Sequence, residues 1–234
     1  MKKLLFIIIS AIISYAQNYD LIFNTGLTNL NPIGEFSKRF KYTQGGFFSA
    51  GYLDDNWEYD FKIEYFKFDK PNYNKLEVKK KITINKEERI YKIKLPNLKH
   101  DFTAYGFSFN PSYNIYKSDL INTNLEFGAG FINWKYNRNS YDSLSVDTSS
   151  TAGVIKNFTF ERNIPKASQL DWSGYFNIGL NVDINITENL ALNLATNYKL
   201  IATELWPALV FDMENVSGLQ MFEAKLGIKY RLEY

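Results

Sequence analysis

The chain ends on MFEAKLGIKYRLEY, a stretch that alternates without a break. Successive side chains of a β-strand point to opposite faces, so the stretch splits by parity. Phe222, Ala224, Leu226, Ile228, Tyr230, Leu232 and Tyr234 share one face. Met221, Glu223, Lys225, Gly227, Lys229, Arg231 and Glu233 share the other. One face is apolar and the other carries every charge, so each must meet a different medium.

The same period recurs along the chain, and helical periodicity is scarce. The pattern predicts eight strands, near 18–28, 43–53, 57–68, 101–116, 120–136, 170–187, 190–203 and 220–234. In the third, Trp57, Tyr59, Phe61, Ile63 and Tyr65 oppose Glu58, Asp60, Lys62 and Glu64. In the sixth, Trp172, Phe176, Ile178, Leu180 and Val182 oppose Ser173, Tyr175, Asn177, Asn181 and Asp183. Polar tight turns are expected at Asp54-Asp55-Asn56, Lys117-Ser118-Asp119 and Glu188-Asn189. Longer segments near 29–42, 69–100, 137–169 and 204–219 fall between them. Strict alternation of short and long connections is the mark of an up-and-down barrel in an outer membrane. The expected fold is therefore an all-β, eight-stranded antiparallel up-and-down transmembrane barrel.

Lipid decides which face turns outward. A Lys or Arg at the bilayer midplane costs about 2–4 kcal/mol on the lipid face of a barrel. Three on one strand would cost up to roughly 10 kcal/mol, comparable with the whole stability of a domain. A soluble barrel would instead turn its apolar face inward. The tryptophans favour the membrane: Trp57, Trp134, Trp172 and Trp206 fall at or beyond strand ends, where interfacial aromatics belong. No apolar run after residue 16 is long enough for a membrane helix, which leaves a closed barrel.

The opening Lys2-Lys3, the apolar Leu4 to Ile13 and the small residues of Ser14-Tyr15-Ala16 predict a signal peptide over 1–16, with the barrel domain at 17–234. Removing it leaves 25 basic and 25 acidic residues in a chain without cysteine. No basic excess marks a nucleic-acid binder, and no disulfide framework exists.

With the apolar face outward, the lumen collects Glu58, Asp60, Lys62, Glu64, Glu126, Asp183, Lys199, Glu223, Lys225, Lys229, Arg231 and Glu233. An eight-stranded barrel is just wide enough for side chains to fill. These charges are thus expected to cross-link a filled polar lumen rather than line a pore, with Gly128, Gly130, Gly179 and Gly227 making room. The segment 69–100 reads as a hairpin extending strands three and four, its Lys79-Lys80-Lys81 run solvated or drawn to anionic glycolipid. The Ser-, Asn- and Thr-rich segment 137–169 reads as mobile, with strand at Val154 to Phe160.

Several features together resemble the small outer-membrane β-barrel proteins of Bacteroidetes, within the broader OmpX-like and opacity-like barrels. They are Gln17 after the cleavage site, Pro32-Ile33-Gly34-Glu35-Phe36, Gly45-Gly46 and Leu226-Gly227-Ile228-Lys229-Tyr230 before an aromatic end. The resemblance implies a monomer in the bacterial outer membrane with both termini periplasmic, in contact with lipid and lipopolysaccharide. It also implies that Tyr230, Leu232 and Tyr234 act as an assembly signal for the barrel-insertion machinery. The expected role is non-enzymatic: envelope structure, adhesion or surface binding through external loops. An accessory barrel of a secretion system is a second reading. A lipid A-modifying enzyme built on the single histidine, His100, with Asp101 as its orienting group, is a third. Ser108, about 26 Å along an extended strand, is too far to be its nucleophile. No glycine-rich phosphate loop or metal-ligand cluster is present, so no cofactor is expected.

Overall fold

The computed structural model describes residues 20–84, 87–95, 97–151, 154–205 and 217–232. The signal segment 1–16, Trp206, Glu233 and Tyr234 lie outside them. Among the described residues twelve strands form: β1 (Asp20–Pro32), β2 (Thr43–Asp54), β3 (Trp57–Phe68), β4 (Glu77–Ile84), β5 (Glu87–Lys94), β6 (His100–Lys117), β7 (Ile121–Arg138), β8 (Tyr141–Thr151), β9 (Val154–Ile164), β10 (Ala167–Asn185), β11 (Leu190–Glu204) and β12 (Ser217–Leu232). Eight of them close into an antiparallel barrel in the order β1-β12-β11-β10-β7-β6-β3-β2. Each barrel strand therefore pairs with the barrel strands that precede and follow it, and β1 with β12 closes the cylinder. In lipid every backbone N–H and C=O needs a partner inside the protein, and closure leaves no edge without one.

The short connections share one end, here the lower. Asp55 turns β2 into β3 with φ 53°, a left-handed conformation that Asp tolerates. At the next turn Ser118 Oγ donates to the Ile121 carbonyl at 2.9 Å and accepts from the Ile121 N–H at 3.0 Å. The third is held by the Leu190 N–H donating to Thr187 Oγ at 3.1 Å. Small polar residues thus satisfy the backbone where the ladder stops.

The upper end departs from expectation. β1 runs on to Pro32, paired with Met221, and is followed by a single 3-10 turn at Gly34–Lys38 that Gly34 enters with φ 57°. The segment after β3 does not extend the barrel strands. It breaks at Asp69 to Leu76, because Pro71 has no N–H and the chain is drawn sideways to the turn region. There Lys41 N–H donates to the Lys70 carbonyl at 2.9 Å and Asn72 N–H to the Arg39 carbonyl at 2.8 Å. β4 and β5 then form a separate two-stranded sheet, and β8 and β9 another. Residues 141–151, read from composition as mobile, are strand because their partner β9 supplies the ladder from Tyr141↔Ile164 to Thr151↔Val154.

At the closing seam Gly26 pairs with Gly227. A Cβ on Gly26 would run into the Leu226 carbonyl oxygen and sit 2.5 Å from Gly227 Cα. The strands can approach this closely only without that carbon. Gly26→Val should therefore impair closure, seen as loss of the fast-migrating unboiled band on a detergent gel. Gly46→Ala, whose nearest neighbour would be 3.7 Å away, should keep it.

Candidate functional site

The barrel presents three surfaces: an outer wall, a lumen and an elaborated upper end. On the wall, outward positions from Trp57 to Tyr65 on β3, Tyr113 to Tyr105 on β6, Phe222 to Leu232 on β12 and their neighbours carry no charge. Phe61, Phe107, Phe131, Phe176 and Leu226 are more than half exposed. Burying such side chains is worth roughly 1.5–3 kcal/mol each, so a wall paved with them is incompatible with water. Aromatics ring both margins. Below, Trp57 packs 5.0 Å from Tyr113 and Tyr59 lies 5.1 Å from Tyr52. Above, Tyr65 and Tyr105 lie 4.9 Å apart, with Trp172 exposed on β10. From Trp172 to Ile184 β10 runs about 40 Å; tilted by about 40° it covers about 30 Å, enough to cross the ~25 Å apolar band of such a membrane.

The lumen has two storeys. In the lower, four lysines reach across the cylinder to acids on distant strands. Lys199 Nζ of β11 lies 2.6 Å from Glu64 of β3 and 3.3 Å from Glu223 of β12. Lys229 Nζ joins Asp183 of β10 at 2.6 Å and Glu58 of β3 at 2.8 Å. Lys225 Nζ meets Glu126 of β7 at 2.9 Å, and Lys62 Nζ stands 3.8 Å from both Glu64 and Glu126. Asparagines fill the remaining acceptor sites: Asn177 and Asn181 donate to Glu126 at 2.8 and 2.7 Å, and Asn193 to Asp183 at 2.6 Å. Thr28 donates to Glu223 at 2.8 Å. Asp60 lines the space beside Glu58, and the room left among these groups is water-sized. Arg231 stands apart at the lower mouth, near Asp183 and Glu188.

The upper storey is apolar, where the sequence had suggested a polar lumen throughout. Phe66, Phe68, Phe102, Ile132 and Trp134 point inward, and Phe36 of the 3-10 turn and Phe40 just after it join them. Phe36 lies 5.1 Å from Phe68 and 5.6 Å from Phe102. Trp134 is accordingly not an interfacial residue. It is fully buried, stacked 5.4 Å from Phe102, and its Nε1 donates to Ser173 Oγ at 2.9 Å. The reason is parity: Trp134 shares the inward register of Asn124 and Glu126 on β7, while Asn133 and Lys135 point out. Trp57 and Trp172 do lie on the outer wall, as does Tyr230; Leu232 is half-buried near the lower rim.

His100 lies above the apolar band at the start of β6, 5% exposed. Its ring packs 4.5 Å from Phe40 and its Nδ1 is 3.4 Å from the Tyr136 hydroxyl. Burial, with the Arg39 and Arg138 guanidinium groups nearby, pulls the imidazole well below its usual range and keeps it neutral. Asp101 turns the other way and accepts from Asn137 at 3.2 Å, and Ser108 pairs with Asn110 in the lower lumen. The grouping needed for acyl attack is not assembled here. Among the described residues no group of three or more His, Asp or Glu side chains is placed to hold a metal ion.

No protein-family model matches the chain, and no curated protein sequence matches it. Solved structures do match it in part. The attachment invasion locus protein Ail of Yersinia pestis is 12% identical over 92% of this chain and 99% of its own, with a TM-score of 0.46. Neisserial surface protein A is 12% identical over 92% and 97%, with a TM-score of 0.43. A major outer membrane protein from Thermus thermophilus is 9% identical over 90% and 99%, with a TM-score of 0.48. The class rests on the geometry above: a closed eight-stranded transmembrane barrel with a braced polar lower lumen and an aromatic upper seal.

Removing one partner of a buried ion pair typically costs about 3–5 kcal/mol. Lys199→Met takes the nearest cation from both Glu64 and Glu223, leaving Glu64 only Lys62 at 3.8 Å, and should lower the unfolding free energy of the detergent-folded barrel in urea by a corresponding amount. Lys67→Met, outward and above the band, should change it by less than about 0.5 kcal/mol. Adding Glu64→Gln to Lys199→Met should recover part of the loss.

Proposed function

We propose that the protein is an integral outer-membrane barrel that carries non-enzymatic recognition elements on its external end. Residues 1–16 would be removed on export, and both ends of the barrel chain would face the periplasm. The observation that supports this most is the asymmetry of the two ends around one charge-free wall. The lower end closes in minimal turns. The upper end carries two independent hairpins, β4–β5 and β8–β9, rooted in a shared small core of Leu76, Leu95, Leu98 and Ile164, with Tyr73 and Tyr141 packed against it. The buried cluster of Phe36, Phe66, Phe68, Phe102 and Trp134 fills the upper lumen beneath, which supports a scaffold rather than a channel. Binding residues commonly sit on connections held by a rigid frame. The sequence resemblance to Bacteroidetes barrels supports the same reading, with lipopolysaccharide as the surrounding lipid and the insertion machinery as an assembly partner.

Replacing 69–99 and 139–166 by short turns should leave a barrel that still shifts on boiling and still fractionates with the outer membrane. Adhesion of cells carrying it, and cross-links formed from its upper end, should fall to the level of cells lacking the protein. Adhesion and cross-linking equal to those of the full chain would refute a recognition role for the hairpins.

A further inference from the structure

The sequence between Lys75 and Lys99 holds nine Lys or Arg against three Glu, within a chain whose formal net charge is only +2. The register of β4 with β5 shows how that excess is arranged. Glu77 pairs with Lys94, Lys79 with Lys92, Lys81 with Ile90 and Thr83 with Glu88. Directly opposed residues of an antiparallel pair share a face, as do positions two apart along a strand. Lys79, Lys81, Lys92 and Lys94 therefore occupy one face, with Glu77 and Glu88 toward its two ends, an excess of two positive charges. Val78, Ile82, Ile84, Tyr91 and Ile93 occupy the other, interrupted by Lys80 opposite Tyr91, Arg89 opposite Ile82 and Glu87 opposite Ile84. Lys79 and Lys92 stand directly opposite each other, an arrangement that destabilises a hairpin by like-charge repulsion. Along each strand the lysine positions repeat every 6–7 Å. A row of cations opposed in this way is relieved by an anionic surface laid against it.

We propose that the lysine face of the β4–β5 hairpin docks on anionic, phosphate-bearing headgroups of the membrane leaflet from which the barrel's upper end emerges. This deepens the recognition reading above and rests on it. Two considerations favour the leaflet over a soluble polyanion. The hairpin is rooted at the barrel rim through Leu76, Leu95 and Leu98, so the headgroups are the anions present at the highest effective concentration. Charge complementarity is multivalent, and each basic residue close to an anionic membrane surface adds on the order of five-fold in occupancy. Docked headgroups would fix the hairpin relative to the membrane and so set how the neighbouring β8–β9 hairpin is presented.

The chain has no cysteine, so Thr83→Cys places a single fluorophore on the lysine face. The full-length barrel would be assembled in two nanodisc types, phosphatidylcholine alone or phosphatidylcholine with phosphatidylglycerol, each with an acceptor dye on a headgroup. Energy transfer should be markedly higher in the phosphatidylglycerol discs. It should fall to the phosphatidylcholine level in about 1 M salt, where the screening length is about 3 Å. It should fall likewise in the Lys79→Gln, Lys81→Gln, Lys92→Gln, Lys94→Gln variant, whose boiling shift verifies that the barrel is folded. Equal transfer in the two disc types, or transfer unchanged in the variant, would overturn the proposal. Binding of soluble polyphosphate to the phosphatidylcholine discs, with no transfer gain in the anionic ones, would overturn it in favour of a soluble polyanion. Failure of the chain to enter either disc would instead count against the membrane-barrel reading itself.

Discussion

Lys199, wedged between Glu64 and Glu223 with no exposed surface, shows the constraint on which the rest depends. A barrel in lipid can place charges only inside, and inside they must neutralise one another or the cylinder does not form. Three of the pairs therefore reach across the lumen. Lys199 and Lys229 tie β11 and β12 to β3, and Lys225 ties β12 to β7. Strands that do not neighbour each other in the sheet are thereby held at fixed distance and register. A one-residue slip of β12 would send Glu223, Lys225 and Lys229 into lipid together, so the ion pairs and the outer wall enforce the same alignment.

The second organising feature is a reversal of the alternation at the upper aromatic margin. Below it, apolar residues point out and polar residues in. Above it, Phe66, Phe68, Phe102 and Trp134 point in, while Lys67, Asp101, Thr103 and Lys135 point out. The strands continue unbroken, but the solvent outside them changes from hydrocarbon to water. The side chains change places in response. The upper barrel is thus packed like a small soluble barrel standing on a transmembrane one, and Phe36 of the 3-10 turn with Phe40 just after it completes its core.

Strand number, direction and the inward charges were legible in the sequence, because period-two alternation is a local signal and lipid makes it strict. All eight barrel strands lie within a few residues of their expected limits. The reversal was legible in principle: in Tyr65-Phe66-Lys67-Phe68 the charge changes parity, and Asn133-Trp134-Lys135 repeats the shift. Reading Trp134 by its place near a strand end rather than by its parity assigned it to the wrong face. The hairpins were harder. β8 is built from Ser, Thr and Asp, whose composition signals a loop, and it is strand only because β9 lies beside it. The break after β3 depended on Pro71 and on contacts with the turn at 33–42, which no local pattern announces. Partners across the lumen, such as Lys199 with Glu64, depend on barrel diameter and stagger, so the sequence supplied the members of the network but not its pairs.

The outer wall carries the central claim, that alternate apolar side chains touch hydrocarbon. Nitroxide labels at single cysteines replacing Phe61, Phe131 and Leu226 in the lipid-reconstituted protein test it directly. Their collision rates with oxygen, which concentrates in the bilayer, should be high, and those with a water-soluble nickel chelate low. Labels at Lys67 and Asp171 should show the reverse. Nickel access at the first three positions equal to that at the last two would contradict the account.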